Sequence, residues 1–325
     1  MSLIRTDRQG AVLTVWLDNP PYNFLTGAIM SELAALLTEL ESDAEIRAVV
    51  LTSAVEDVFV SHYDVAEILA GAEAAPVTLT QRTASAALHA SRAADRIPGG
   101  QAVLARAGAS GVADLRQYHE VCRRMRNADK VFIAALNGRT LGGGCELALS
   151  CDLRLMADGP FEIGQPEILV GIIPGGGGTQ MLTRVLGVGR AMELCLEGAP
   201  ITPARALEIG LVHRLVEPSG LLAEAQATAA RLARRSPVAV GALKRAIYEG
   251  GSEPLEKGLH YERAGFLETS STPAAKRAMR AYLDEIRAVE SDGRDLASFV
   301  AERLPRWVEG SVVDFTNPAG KQQDR

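Results

Sequence analysis

Leu141-Gly142-Gly143-Gly144-Cys145-Glu146-Leu147-Ala148-Leu149 is the stretch that decides how this chain is read. The apolar run Val131-Phe132-Ile133-Ala134-Ala135-Leu136 precedes it and reads as a buried strand, broken by Asn137-Gly138. After the three glycines, Cys145 to Leu149 reads as a helix. The pattern is strand, tight glycine turn, helix start. Glycines let a backbone approach a ligand closely. A helix N-terminus adds free N–H groups and the positive end of a dipole. Such a turn suits an oxygen that gains negative charge during a reaction. Glu146 places a carboxylate beside it.

A second stretch follows, from Phe161-Glu162-Ile163-Gly164-Gln165-Pro166-Glu167 to Gly175-Gly176-Gly177-Gly178-Thr179-Gln180. It brings another carboxylate, Glu167, and another glycine turn leading into the helical Met181–Leu186. Two carboxylates near a polarising turn fit paired acid and base work on an enolate-like intermediate. Gly175–Gly178 lacks the lysine of a phosphate-binding loop and the spacing of a dinucleotide fingerprint. It reads as a turn that positions the following helix.

Outward from this centre, Ala11–Leu17 reads as a strand ended by Asn19-Pro20-Pro21. Thr26 caps a helix through Met30, Leu33, Leu36, Leu37 and Leu40, and Ile46–Thr52 is a second buried strand. Val58–Val65 is a short apolar run that breaks into polar residues, and Asp64 caps a helix from Val65 to Ala70. Residues 70–112 are rich in Ala, Gly, Ser and Arg, with a break at Pro98-Gly99-Gly100. They read as an inserted, partly helical excursion, either a mobile surface loop or a lid over a site. A helix through Leu115, Tyr118, Val121, Cys122 and Met125 leads back to the strand at Val131. Ser150–Ala157 and Gly210–Val216 read as strands, with helices at Arg190–Glu197 and Pro203–Ile209 between them. From Gly220 onward the pattern is helical: Leu221–Arg235, Pro237–Glu249, Pro254–Glu268, Pro273–Val289 and Asp295–Leu304. Lys244 and Arg245 sit on one of these amphipathic helices and read as solvated, with contact to a coenzyme A phosphate as the alternative. Strands alternating with helices argue a layered α/β core over residues 1–217, a helical region over 218–310 and a loose tail over 311–325.

Composition excludes several classes. The chain has 325 residues, 47% hydrophobic and 23% charged, as in an ordinary globular protein. Its net charge of −6 and its 5% aromatic content argue against a nucleic-acid partner. Cys122, Cys145, Cys151 and Cys195 have neither zinc-ligand nor redox spacing. With no secretory hydrophobic core at the N-terminus and no run long enough to span a bilayer, a reduced, cytoplasmic setting is expected, with no membrane contact and no metal.

Leu141–Leu147, followed by Gly164-Gln165-Pro166-Glu167, resembles the crotonase superfamily, also called the enoyl-CoA hydratase/isomerase family. The likeness covers residues 10–68 and 115–270. It implies a spiral of repeated strand-strand-helix units with C-terminal helices that build a homotrimer or a dimer of trimers. It implies an acyl-CoA thioester as substrate, with coenzyme A part of the substrate and no further cofactor. The thioester oxygen is expected in an oxyanion hole made by the N–H groups of Gly143 and Tyr63. Tyr63 falls on that role because Phe59–Asp64 aligns with a family segment that usually reads Phe-x-x-Gly-Ala-Asp or Phe-x-x-Gly-Gly-Asp. Here His62-Tyr63 stands instead, so a phenol flanks the hole. His62 reads as a loop residue rather than a base. The resemblance makes Glu146 the residue that holds the water and Glu167 the one that delivers the α-proton. Hydration of a 2-enoyl-CoA is the leading expectation. An isomerase, hydrolase or decarboxylase of the same fold, or a non-catalytic acyl-CoA binder, is the alternative, and the presence of both glutamates favours hydration.

Overall fold

A computed structural model describes residues 2–74, 78–94, 96–97 and 110–315. Pro98-Gly99-Gly100 and the tail beyond 315 lie outside the described residues, as does most of the second half of the 70–112 excursion.

The chain opens with the hairpin β1 (Ile4–Gln9) and β2 (Val12–Leu17), then α1 (Gly27–Ser42). The first edge strand has no apolar alternation, so its sequence does not announce it; antiparallel pairing with β2 makes it a strand. Three strand pairs follow: β3 (Ala48–Ser53) with β4 (Val58–Val60), β5 (Val131–Leu136) with β6 (Arg139–Leu141), and β7 (Leu153–Ala157) with β8 (Ile163–Gly164). The first strand of each pair joins a six-stranded sheet that ends with β9 (Arg214–Val216). The second joins a three-stranded parallel sheet ordered β4-β6-β8. In the large sheet all pairings except β1 with β2 are parallel. Each pair thus makes one turn of a spiral, with one strand in each sheet, as the family resemblance implies.

Helices connect the turns. After β4 come α2 (Val65–Glu73), α3 (Gln81–Ala94) and α4 (Ser110–Asn127). After β6 comes α5 (Gly143–Leu149), and after β8 come α6 (Gly178–Leu186), α7 (Val188–Glu197) and α8 (Pro203–Glu208). Thr26 and Asp64 cap α1 and α2, each through its side-chain oxygen.

Strand β5 is buried along its whole length because both of its faces are covered. Phe132, Ala134 and Leu136 meet α1 and α4 in one cluster with Leu33, Leu37 and Met125. Val131, Ile133 and Ala135 face the opposite way, into a cluster with Ala225 and Ala229 of α9 (Leu221–Leu232). A strand covered on both sides reads as a continuous apolar run. Each large side chain buried there contributes about 1.5–3 kcal/mol.

The C-terminal part is helical: α10 (Pro237–Lys244), α11 (Leu255–Ser271), α12 (Pro273–Ser291), α13 (Leu296–Glu302) and α14 (Leu304–Val308). Phe299 and Trp307 pack edge-on against Tyr282 of α12, so the last two helices fold back on it. Lys244 departs from its sequence reading. It is buried, and its ammonium donates to the carbonyls of Met125 and Lys130 at 2.9 and 2.8 Å and to Asp152 Oδ2 at 2.8 Å. Asp152 also accepts from the Phe132 N–H at 2.8 Å. Lys244 therefore bolts the helical region to the central strand, a long-range pairing that helical spacing cannot reveal.

Candidate active site

The site forms where β4 and β6 of the small sheet run out side by side. Gly142 ends β6 with φ at 50°, in the left-handed region that favours glycine. A β-carbon there would also lie 2.5 Å from Glu167 Oε1, so the turn and the second carboxylate are in contact. Gly142 donates to the carbonyl of Gly164 at 2.9 Å, which ties the turn to β8. Gly143 then starts α5, and its N–H is one of the first-turn donors left without an intrahelical acceptor.

Tyr63 follows β4 and forms a parallel bridge with Leu25. Its neighbours satisfy Leu25: the Leu25 N–H donates to the carbonyl of His62 at 3.0 Å, and the Asp64 N–H to that of Leu25 at 2.7 Å. In such a bridge the Tyr63 N–H points the other way. It faces α5, and a β-carbon on Gly143 would sit 3.3 Å from the Tyr63 nitrogen. Among the described residues neither N–H has an acceptor. Two unsatisfied donors side by side suit an oxygen that takes on negative charge.

The Tyr63 phenol turns away from this point. Its hydroxyl lies toward Gly27, Glu67 and Asp114, the groups that surround the β-carbon position of Gly27. Burial, then the charges of Glu67 and Asp114, push the phenol well above its ordinary range, so it stays neutral. His62 is held in the loop, with Nδ1 2.7 Å from the carbonyl of Tyr63 and its ring stacked on Phe24 at 4.5 Å. Buried Asn23 ties its own turn to β3 and β4, accepting from the Asn19 N–H at 2.9 Å and donating to Ser53 Oγ at 2.9 Å and to the carbonyl of Phe59.

Glu146 is buried on α5. Its Oε1 accepts from the N–H groups of Gly176 and Gly178, both at 2.7 Å. The second glycine turn thus does more than its sequence reading claims: it holds the first carboxylate as well as starting α6. Burial pushes the Glu146 carboxyl up to about 7, with the nearby charge of Glu167 adding to the rise and the two glycine N–H groups opposing it. Glu167 begins a 3-10 turn, Glu167–Val170, and burial raises it too. With its amide nitrogen turned toward Glu167, buried Gln165 donates to Oε2 at 3.0 Å and to Oε1 at 3.2 Å. A β-carbon on Gly178 would lie 2.6 Å from the Gln165 amide and 2.9 Å from Glu146 Oε1, so Gln165 stands between the two carboxylates.

All four residues singled out from sequence therefore converge: Gly143 and Tyr63 through their N–H groups, Glu146 and Glu167 through their carboxyls. The profile of the family described as enoyl-CoA hydratase/isomerase matches residues 7–94 and 105–290. The chain belongs to the enoyl-CoA hydratase/isomerase family. A short-chain-enoyl-CoA hydratase of Clostridium acetobutylicum is 34% identical over 280 residues, 86% of this chain and 94% of that protein. The crystal structure of an enoyl-CoA hydratase from Bacillus anthracis superposes with a TM-score of 0.70 at 28% identity, covering 87% of this chain and 96% of that one. One from Polaromonas sp. JS666 gives a TM-score of 0.71 at 27% identity, covering 87% and 97%.

Within that family frame, three residues of this site were not singled out from sequence. Gln165 sits inside the motif but has no charge to attract notice. Tyr118 reads as one more apolar position in a helical stripe, and His119 beside it carries no motif. Only the tertiary arrangement shows that both side chains reach the glycine turns. Among the described residues no group of three or more His, Cys, Asp or Glu is placed to hold a metal ion, and no helix is long and apolar enough to cross a membrane.

Proposed function

We propose that the protein hydrates 2-enoyl-CoA thioesters to 3-hydroxyacyl-CoA. The observation that carries this reading is the pair Glu146 and Glu167 beside two N–H groups, of Gly143 and Tyr63, that lack acceptors. When water adds across the conjugated double bond, its oxygen bonds to the β-carbon and the π electrons move onto the thioester oxygen. The Gly143 and Tyr63 N–H groups stabilise that charge; one such donor is typically worth about a hundredfold or more in rate. Glu146, ionised, takes a proton from the water. Its two glycine donors hold Oε1 and leave Oε2 for this task. Glu167, protonated, delivers a proton to the α-carbon as the enolate collapses. Proton exchange with solvent then restores both carboxyls. The reaction needs no cofactor beyond the coenzyme A that the substrate carries.

Leu255, Phe266 and Leu267 of α11 and Leu243 of α10 are exposed apolar side chains in the helical region. Surface of this kind supports assembly as a homotrimer or a dimer of trimers. The pairing of reduced, mostly buried thiols with an acyl-CoA substrate fits a cytoplasmic role in fatty-acid metabolism.

The test is incubation with a panel of acyl-CoA thioesters followed by mass spectrometry. A gain of water on 2-enoyl-CoA substrates is the expected outcome. Double-bond migration without mass change, loss of carbon dioxide, or release of free coenzyme A would each replace hydration with another reaction of the fold.

A further inference from the structure

Helix α4 carries the chain out of the 70–112 excursion and runs across the back of the site. Two consecutive residues on it reach the two glycine turns. The buried Tyr118 donates its hydroxyl proton to the carbonyl of Gly143. His119 Nε2 lies 2.8 Å from the carbonyl of Gly175; a carbonyl only accepts, so that nitrogen carries the hydrogen. One turn presents the Gly143 N–H, and the other presents the Gly176 and Gly178 N–H groups that hold Glu146.

The Tyr118 ring has a second contact. A β-carbon on Gly176 would collide with Tyr118 Cε1 and lie 2.5 Å from Glu146 Oε2. Ring, glycine backbone and carboxylate thus meet at one point, and the ring covers one side of the oxygen left free for water. The hydroxyl acts on the other half of the site. Gly143 lacks a side chain to restrict its torsions. A bond to its carbonyl fixes the orientation of the residue whose N–H faces Tyr63.

We propose that Tyr118 is a positioning residue for the hydration step: its hydroxyl orients the Gly143 backbone, and its ring shields Glu146 from solvent. The inference rests on the hydratase reading given above. Burial keeps the Tyr118 phenol protonated through the working pH range, so it remains a donor. The titratable groups around Glu146 are Glu167 on the 3-10 turn, Tyr118 and Cys122 on α4, Cys145 on α5 and Cys195 on α7. His119 lies on the outer side of α4 against Gly175. Burial raises all three thiols. The reaction needs Glu146 ionised and Glu167 protonated, so an acid limb in the rate profile reports Glu146.

The experiment compares the parent with Tyr118→Phe and Tyr118→Leu. Hydration of but-2-enoyl-CoA is followed by loss of the conjugated thioester absorbance across the pH range. Binding of butyryl-CoA, which cannot be hydrated, is measured by calorimetry. Tyr118→Phe keeps the ring and loses the bond to Gly143. It is expected to lower kcat by about tenfold to a hundredfold, the range for small misplacement of a reacting group. KM and butyryl-CoA affinity should stay within about twofold, because the ground-state contacts remain. Tyr118→Leu opens the ring side to water, which stabilises the Glu146 carboxylate, so the acid limb should move to lower pH. A Tyr118→Phe enzyme with parental kcat overturns the inference. So does a parallel loss of kcat and butyryl-CoA affinity, which would mark a merely structural role, or an acid limb that Tyr118→Leu leaves in place. A parent that hydrates no enoyl-CoA refutes the functional reading itself, and this inference with it.

Discussion

Glu146→Gln should trade activity for stability, and the trade should depend on pH. The glutamine is nearly isosteric, and its amide oxygen can still accept from Gly176 and Gly178. What it cannot do is ionise. In the parent the carboxyl titrates at about 7 in the fold, against an ordinary 4.5. An acid with a raised folded pKa binds more protons folded than unfolded between those two values. Stability therefore falls as pH rises from about 4.5 to about 7 and levels off above. At about 1.4 kcal/mol per pH unit, holding the ionised group costs the parent roughly 3 kcal/mol at about pH 8. Glu146→Gln escapes that cost. Urea unfolding of both proteins at about pH 4.5 and about pH 8 should show the variant's relative stability rising by roughly 3 kcal/mol between the two conditions. Hydration by the variant should be down by about two to four orders of magnitude throughout. A stability difference that stays constant with pH would mean the carboxylate is held without penalty, and the burial argument would fail. Hydration at the parental rate would remove Glu146 from the mechanism.

Glu167→Gln should lower hydration by about two to four orders of magnitude, and with it the incorporation of solvent deuterium at the α-carbon; undiminished incorporation would assign the α-proton to another group. Lys244→Met should destabilise the fold by about 3–5 kcal/mol, because it leaves the partly buried Asp152 carboxylate as an unpaired charge. Unfolding midpoints unchanged by Lys244→Met would show that the helical region is held by its apolar contacts alone. Sedimentation should show a trimer or a dimer of trimers at micromolar concentration, and a monomer would refute the assembly drawn from the exposed apolar side chains.

The strand-turn-helix at Val131–Leu149 was legible from residues alone, because a doubly covered strand must be continuously apolar and a tight turn needs glycine. The caps at Thr26 and Asp64 were legible for a similar reason: a helix start has local chemistry that short side-chain oxygens satisfy. The four site residues were reached through motif resemblance, which places carboxylates and glycines in order along the chain. That order carries no distances. Only the folded chain shows the Gly175–Gly178 turn gripping Glu146, since the donors lie 30 and 32 residues from the acceptor. Lys244 is illegible for the same reason: its partners are 92 to 119 residues away, and helical spacing knows only its own face. The edge strand Ile4–Gln9 is not legible because nearly all of it is exposed and it has little apolar pattern. Tyr118 and Gln165 look like a core aromatic and a neutral amide until their neighbours are known. The sequence by itself determined which chemistry this chain carries, since carboxylates, glycine turns and apolar strands are local properties. The tertiary structure alone decided which groups meet and how strongly each carboxyl holds its proton, because burial and through-space donors are set by segments far apart in the chain.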